Sequence, residues 1–128
     1  MKLRYVTLFV ADVPRARAFY EAAFGLEVGF VHESGKYAEL ATGDTKLALS
    51  AHPLARDVVG IAYAEAARDR PPPPLEISFG VDDVRAAHAR AVAAGAVSVK
   101  PPTAMPWGQT VAYLRDADGI IVGLVEGD

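Results

Sequence analysis

Hydrophobic and polar positions alternate along this chain with two different periods, and the change from one to the other marks its elements. Residues 3–10 (LRYVTLFV) are β-branched, aromatic and alternating, which predicts a strand. Asp12 stands at a helix-capping position and Pro14 suits a first turn. Val13, Ala16, Tyr20 and Ala23 then recur at helical spacing, and Gly25 ends the stripe. Three short strands are predicted at about 26–32, 36–42 and 45–51, separated by Ser34-Gly35 and Gly43-Asp44 turns. The series then starts again. LEISFGVDDV (75–84) reads as strand plus cap, like RYVTLFVADV (4–13). Val84, Ala87, Ala91 and Ala94 repeat the helical stripe at an offset of 71, and Gly95 stops it. Strands follow at about 96–100, 109–115 and 119–125, with Asp116-Ala117-Asp118-Gly119 as the turn before the last. Asp116 and Asp118 read as turn formers.

The pattern is an internal repeat of two βαβββ units, hence an α+β fold. The predicted organisation is a single domain over 1–128, with module 1 at about 3–51, a connector at about 52–74 and module 2 at about 75–126. Four consecutive prolines, Pro71 to Pro74, favour an extended, stiff crossover. Ile61 to Arg68 reads as a short helix, and a connector of this length is able to cover a pocket mouth.

Strand alternation separates two sheet faces. Leu47 and Leu49 oppose Lys46, Ala48 and Ser50; Leu75, Ile77 and Phe79 oppose Glu76 and Ser78. Ile120, Val122 and Leu124 oppose Ile121, Gly123 and Val125, and Val6 and Leu8 oppose Tyr5, Thr7 and Phe9. One face is uniformly apolar and is expected to carry the helices. The other mixes aromatic, small and hydroxyl-bearing residues with one carboxylate, which suits either a ligand pocket, a solvated sheet or a dimer surface.

Composition narrows the chemistry. The chain has 128 residues with 52% hydrophobic and 23% charged, enough for a packed core. Its net charge of −3, without a basic block, argues against nucleic-acid binding. It has no cysteine, so disulfides and thiolate metal sites are excluded. No apolar run reaches the roughly 20 residues of a membrane span, and the opening residues do not resemble a signal peptide. A cytoplasmic location is expected. P-loop, dinucleotide-binding and nucleophile-elbow motifs are absent.

Val10-Ala11-Asp12-Val13, Phe19-Tyr20-Glu21-Ala22-Ala23-Phe24-Gly25-Leu26, Pro106-Trp107-Gly108-Gln109, and Tyr113-Leu114-Arg115-Asp116-Ala117-Asp118-Gly119 stand in a fixed order along the chain. In that order and spacing they resemble the vicinal-oxygen-chelate superfamily, which includes glyoxalase I, extradiol dioxygenases, and fosfomycin- and bleomycin-resistance proteins. Family members usually have proline where Ala117 stands. The resemblance covers about residues 3–126. It implies two βαβββ modules in a pseudo-twofold repeat, their sheets curled round a central cavity, commonly in a homodimer. The four metal-ligand positions of the metal-dependent members fall on Tyr5, Ala48, Glu76 and Gly123. Only Glu76 is a good ligand, where a zinc site needs three or four protein donors. No metal and no cofactor are therefore expected.

What the resemblance implies is a metal-independent small-molecule binding protein of the bleomycin-resistance type, sequestering an aromatic or cationic compound such as an antibiotic. Glu76 would sit partly buried at the pocket centre and meet a cationic group or Lys46. Tyr5, Trp107 and Tyr113 would supply aromatic surface, and Thr7, Ser50, Ser78 and Gln109 orienting hydrogen bonds. Trp107 alternatively serves as a packing anchor, and Glu76 as half of an ion pair. His32, His52 and His88 are expected to be structural, with His32 and His52 able to touch a ligand at the rim. The alternatives are a divergent lyase, isomerase or dioxygenase-type enzyme using Glu76 as metal ligand or general base, and a dimer that has lost ligand binding.

Overall fold

The computed structural model describes residues 1–127. It has eight strands and three helices in the order β1 (Tyr5–Val10), α1 (Val13–Phe24), β2 (Val28–Val31), β3 (Tyr37–Leu40), β4 (Lys46–Ala51), α2 (His52–Val59), β5 (Glu76–Val81), α3 (Val84–Ala93), β6 (Val97–Ala104), β7 (Thr110–Arg115) and β8 (Ile121–Glu126). No helix among the described residues is long and apolar enough to cross a membrane. The fold is α+β and holds the two βαβββ modules that the repeat predicts.

The helix caps show why the repeat folds twice. Asp12 has extended backbone, and its Oδ1 accepts from the Arg15 N–H at 3.0 Å. Asp83 does the same for the Ala86 N–H, also at 3.0 Å. Each satisfies a donor that the first helical turn leaves open.

The chain forms two compact units. The first comprises Met1–Glu21 and Gly25–Glu65. Its sheet has the order β1-β4-β3-β2, with β1 parallel to β4 and the others antiparallel. A parallel pair needs a crossover, and α1 with the β2–β3 hairpin supplies it. The buried residues here include Leu8, Val10, Leu40, Leu47 and Leu49, with Val13, Ala16 and Tyr20 from α1. The second unit comprises Ala22–Phe24 and the chain from Ala66 onward. Its sheet repeats the topology as β5-β8-β7-β6, with β5 parallel to β8. Val84 and Ala91 of α3, Ala112 and Leu114 of β7, and Val122 and Leu124 of β8 are buried in it. Phe24 stacks on Phe79 with ring centroids 5.2 Å apart, and Arg90 Nε donates to the Ala22 carbonyl.

Two sequence expectations change. The short helix is not at 61–68 but at His52–Val59, between Pro53 in its first turn and Gly60, whose φ is 77°. The Ala-rich run after it has good helix propensity. Tertiary bonds to Tyr63 and Glu65 override that propensity, as propensity alone is a weak force. Strand β6 also runs past the expected residue 100 to Ala104, through Pro101 and Pro102. It is an edge strand with shifted register at this point, where a missing backbone N–H costs no ladder bond.

From Ala66 the connector is strapped to the second unit by two arginines. Arg115 donates to the carbonyls of Ala67, Arg68, Arg70 and Gly119 at 2.8–3.1 Å. Arg68 Nε donates to the Asp116 carbonyl at 3.0 Å. Asp116 is only 1% exposed. Its Oδ1 accepts from the Asp118 and Ile120 N–H groups, so the turn-forming role read from the sequence holds.

Candidate functional site

In the first unit, Tyr5 lies beside Lys46, Thr7 beside Ala48 and Phe9 beside Ser50. On the other flank of β4, Glu39 opposes Ala48 and Tyr37 opposes Ser50. Paired positions point to the same side of a sheet, so these residues share one face. The expected ligand residues Tyr5 and Thr7 are exposed there, whereas Ser50 is buried. The Tyr37 hydroxyl donates to Glu39 Oε2 at 2.8 Å. Burial, then the Glu39 carboxylate, pushes the Tyr37 phenol far above its ordinary value. Above pH of about 10 the unfolded chain ionises at this tyrosine while the folded chain does not. Stability should therefore fall as pH rises beyond that point, and Tyr37→Phe should flatten the fall. Urea midpoints between pH 8 and pH 11 measure both.

In the second unit, Glu76 lies beside Ile121, Ser78 beside Gly123, and Tyr113 opposes Gly123. Gly123 lets them converge. A Cβ there would lie 2.5 Å from Ser78 Oγ, 2.9 Å from Glu76 Oε2 and 3.2 Å from Tyr113 Cε1. The carboxylate, the hydroxyl and the edge of the ring thus meet over a bare stretch of backbone. Ser78 Oγ donates to Glu76 Oε2 at 3.2 Å. Glu76 is exposed in this chain rather than partly buried, because β5 is an edge strand and this face carries no helix. It makes no ion pair among the described residues, so the ion-pair alternative fails. Trp107 and Gln109 lie in and just after the β6–β7 turn, where Trp107 Nε1 donates to Gln109 Oε1 at 3.1 Å. Trp107 is 64% exposed and so is not a core anchor.

The four positions implied for a metal do not fit one. Ala48 and Gly123 have no donor atoms, and the space over Gly123 is taken by Ser78 and Glu76. Among the described residues no three His, Cys, Asp or Glu side chains cluster closely enough to hold an ion. The other histidines have local partners: His32 Nδ1 contacts Ser34 Oγ and His88 Nε2 contacts Ser98 Oγ, each at 2.8 Å.

Sequence reasoning missed a group in the first unit. Tyr63 packs on Phe9 with centroids 5.1 Å apart, and its hydroxyl lies 2.6 Å from His52 Nδ1. The Arg56 guanidinium lies 5.3 Å from the Tyr63 ring centroid and pairs with Glu65. His52 is 4% exposed, so it does not reach a rim. The available signal was the Pro53 and Gly60 pair, which brackets a helix and frees Tyr63 from one. A separate concavity of about 530 Å³ is lined by Lys2, Leu3, Arg4, Gly43, Asp44, Thr45 and Lys46. It contains none of the eight expected ligand residues.

Known proteins agree with this architecture. The uncharacterized protein YraH of Bacillus subtilis (strain 168) is 26% identical over 119 residues, covering 92% of each chain. A glyoxalase-related enzyme from Fulvimarina pelagi superposes with a TM-score of 0.87 at 23% identity, over 99% of this chain and 88% of its own. A glyoxalase/bleomycin resistance protein/dioxygenase family enzyme from Burkholderia phytofirmans PsJN gives 0.82 at 24%, over 98% of both. At these identities the two structures speak for the fold alone. The sequence model of the glyoxalase/bleomycin resistance protein/dioxygenase superfamily matches residues 2–124, and with the twice-repeated βαβββ topology it places this chain in that superfamily.

Proposed function

We propose that the protein is a metal-independent small-molecule binder, taking an aromatic or cationic compound such as an antibiotic and acting as a cytoplasmic homodimer. The observation that carries this reading is the Glu76–Ser78–Tyr113 group over Gly123. An exposed carboxylate with one neutral donor and no counter-ion, beside an aromatic ring, attracts a cation with a flat apolar body. Ser78 orients the carboxylate, and Tyr113 offers the ring. In the first unit, Tyr5 and Thr7 offer an exposed ring and an exposed hydroxyl, whereas Ser50 is buried beneath that face. Trp107, oriented by Gln109, supplies a further exposed ring. The enzyme reading through Glu76 and a metal lacks the donor set described above.

A methylacridinium dye tests the proposal. The chain has one tryptophan, exposed, so its fluorescence reports the titration directly. Saturable binding is expected, with Glu76→Gln weakening it about tenfold, the worth of one charge-assisted contact. No saturable binding, or an affinity unchanged by Glu76→Gln, rejects the assignment.

A further inference from the structure

We propose that Tyr63, His52 and Glu65 form a proton relay, in which Tyr63 takes a proton from a phenolic or enolic hydroxyl of a ligand and passes its own to His52. The proposal goes beyond binding and rests on the reading that the Tyr5–Thr7–Phe9 face receives a ligand.

Tyr63 stands at the Phe9 end of that face and is half-buried. Burial raises its phenol pKa, so the hydroxyl keeps its proton at rest, and the relay assigns it as the donor to His52 Nδ1, 2.6 Å away. A neutral imidazole carries one N–H. With Nδ1 accepting, that hydrogen sits on Nε2. Nε2 is sealed from solvent and has no hydrogen-bond partner, and the nearest carboxylate oxygen, Glu65 Oε1, is 4.0 Å away. A clasp fastening the connector would need only the phenol–imidazole bond. Leaving a sealed N–H without a partner is destabilising, which a purely structural histidine has no reason to bear.

Proton transfer makes use of that arrangement. When the Tyr63 proton moves to Nδ1, the ring becomes an imidazolium whose Nε2–H faces a carboxylate. Arg56 pairs with Glu65 and holds it in place, and its guanidinium beside the Tyr63 ring favours a phenolate. In the full step the ligand O–H bond breaks and a new O–H bond forms on Tyr63. The original Tyr63 proton goes to His52, and no electrons change oxidation level. Phenols and enols suit the first transfer because their acidity is close to that of tyrosine, about 10; the onward transfer to an imidazole, a weaker base than a phenolate, is uphill, and the carboxylate facing Nε2 offsets part of that cost. Phe9 offers such a ligand a ring to stack on.

Benzenesulfonyl fluoride at pH 8 tests the relay without the ligand. The Tyr63 oxygen attacks sulfur, the S–O bond forms, fluoride leaves, and the phenol proton passes to His52 Nδ1. Peptide mass spectrometry gives the rate at each of the five tyrosines. Tyr63 is expected to react about tenfold faster than Tyr5, although Tyr5 is 48% exposed. His52→Gln should lower the Tyr63 rate about tenfold and leave Tyr5 unchanged. Glu65, with a side chain 40% exposed, tolerates substitution if buried His52 does not. Glu65→Gln should lower the Tyr63 rate about threefold. A Tyr63 rate no greater than that of Tyr5, or one unchanged in both variants, overturns the relay. Dye binding that persists when this test fails leaves the binding reading intact, and its loss leaves the tyrosine rates readable.

Discussion

Gly119→Ala is expected to lower stability by about 3 kcal/mol and the Tm by on the order of 10 °C, as read by calorimetry. Gly119 has φ of 86°, a conformation that L side chains rarely adopt. Strain is the smaller part of the cost. A Cβ at this position would lie 2.6 Å from Arg115 Nη2, 2.7 Å from the Ala67 carbonyl oxygen and 2.8 Å from its carbon. Two of these atoms are backbone and cannot rotate away. The Arg115 group is no freer, because the same nitrogen donates to the Ala67 and Arg70 carbonyls and Nε donates to Gly119 itself. Making room for one methyl group therefore dislodges the strap that ties residues 67–70 to the β7–β8 turn. The comparison is Gly108→Ala, where φ is 100° but nothing lies within 4 Å of the added carbon. That variant should lose only about 1 kcal/mol, from strain alone. Equal losses at the two sites would show that the close approach to Ala67 does not matter.

Leu49→Ala is expected to cost about 3 kcal/mol, as a lower urea midpoint with an unchanged slope. Leu49 is fully buried in β4, between Leu8 of β1 and Ala38 of β3. Ala38 is small and Leu8 is fixed on a strand paired in parallel, so neither can collapse into the space left. Both the lost transfer free energy and the cavity contribute. Val58→Ala on α2, where the side chain is 76% exposed, should stay within about 0.5 kcal/mol of the parent. A loss at Leu49 no larger than that at Val58 would mean that the β4 core is loosely packed.

Much of the fold was legible because it rests on local chemistry written twice. The Asp12 and Asp83 caps, the two small-residue stripes and the period-2 strands each express a short-range preference, and their recurrence at a fixed offset excludes coincidence. The Asp116-Ala117-Asp118-Gly119 turn was legible for the same reason: one carboxylate serves backbone N–H groups two and four residues on. The group around Gly123 was half legible. Alternation placed Glu76 and Ser78 on one face and Gly123 on the matching face of the last strand. Register, set by the parallel pairing of β5 with β8, brought Ser78 beside Gly123 and Tyr113 opposite it. The exposure of Glu76 depends on which strand forms the edge, which alternation does not encode.

The connector was the least legible part. Its Ala-rich run has the composition of a helix, yet Tyr63 and Glu65 are tied to His52 and Arg56, and residues 67–70 form a turn whose carbonyls Arg115 holds. The sequence by itself determined the two βαβββ modules and their capped helices, because these depend on neighbours a few residues apart. Only the tertiary structure decided the path of the connector, the sealing of His52 beside Tyr63 and Glu65, and the meeting of Glu76, Ser78 and Tyr113 over a glycine. Those depend on groups 9 to 48 residues apart in sequence, whose bonds outweigh the few tenths of a kcal/mol per residue that local propensity supplies.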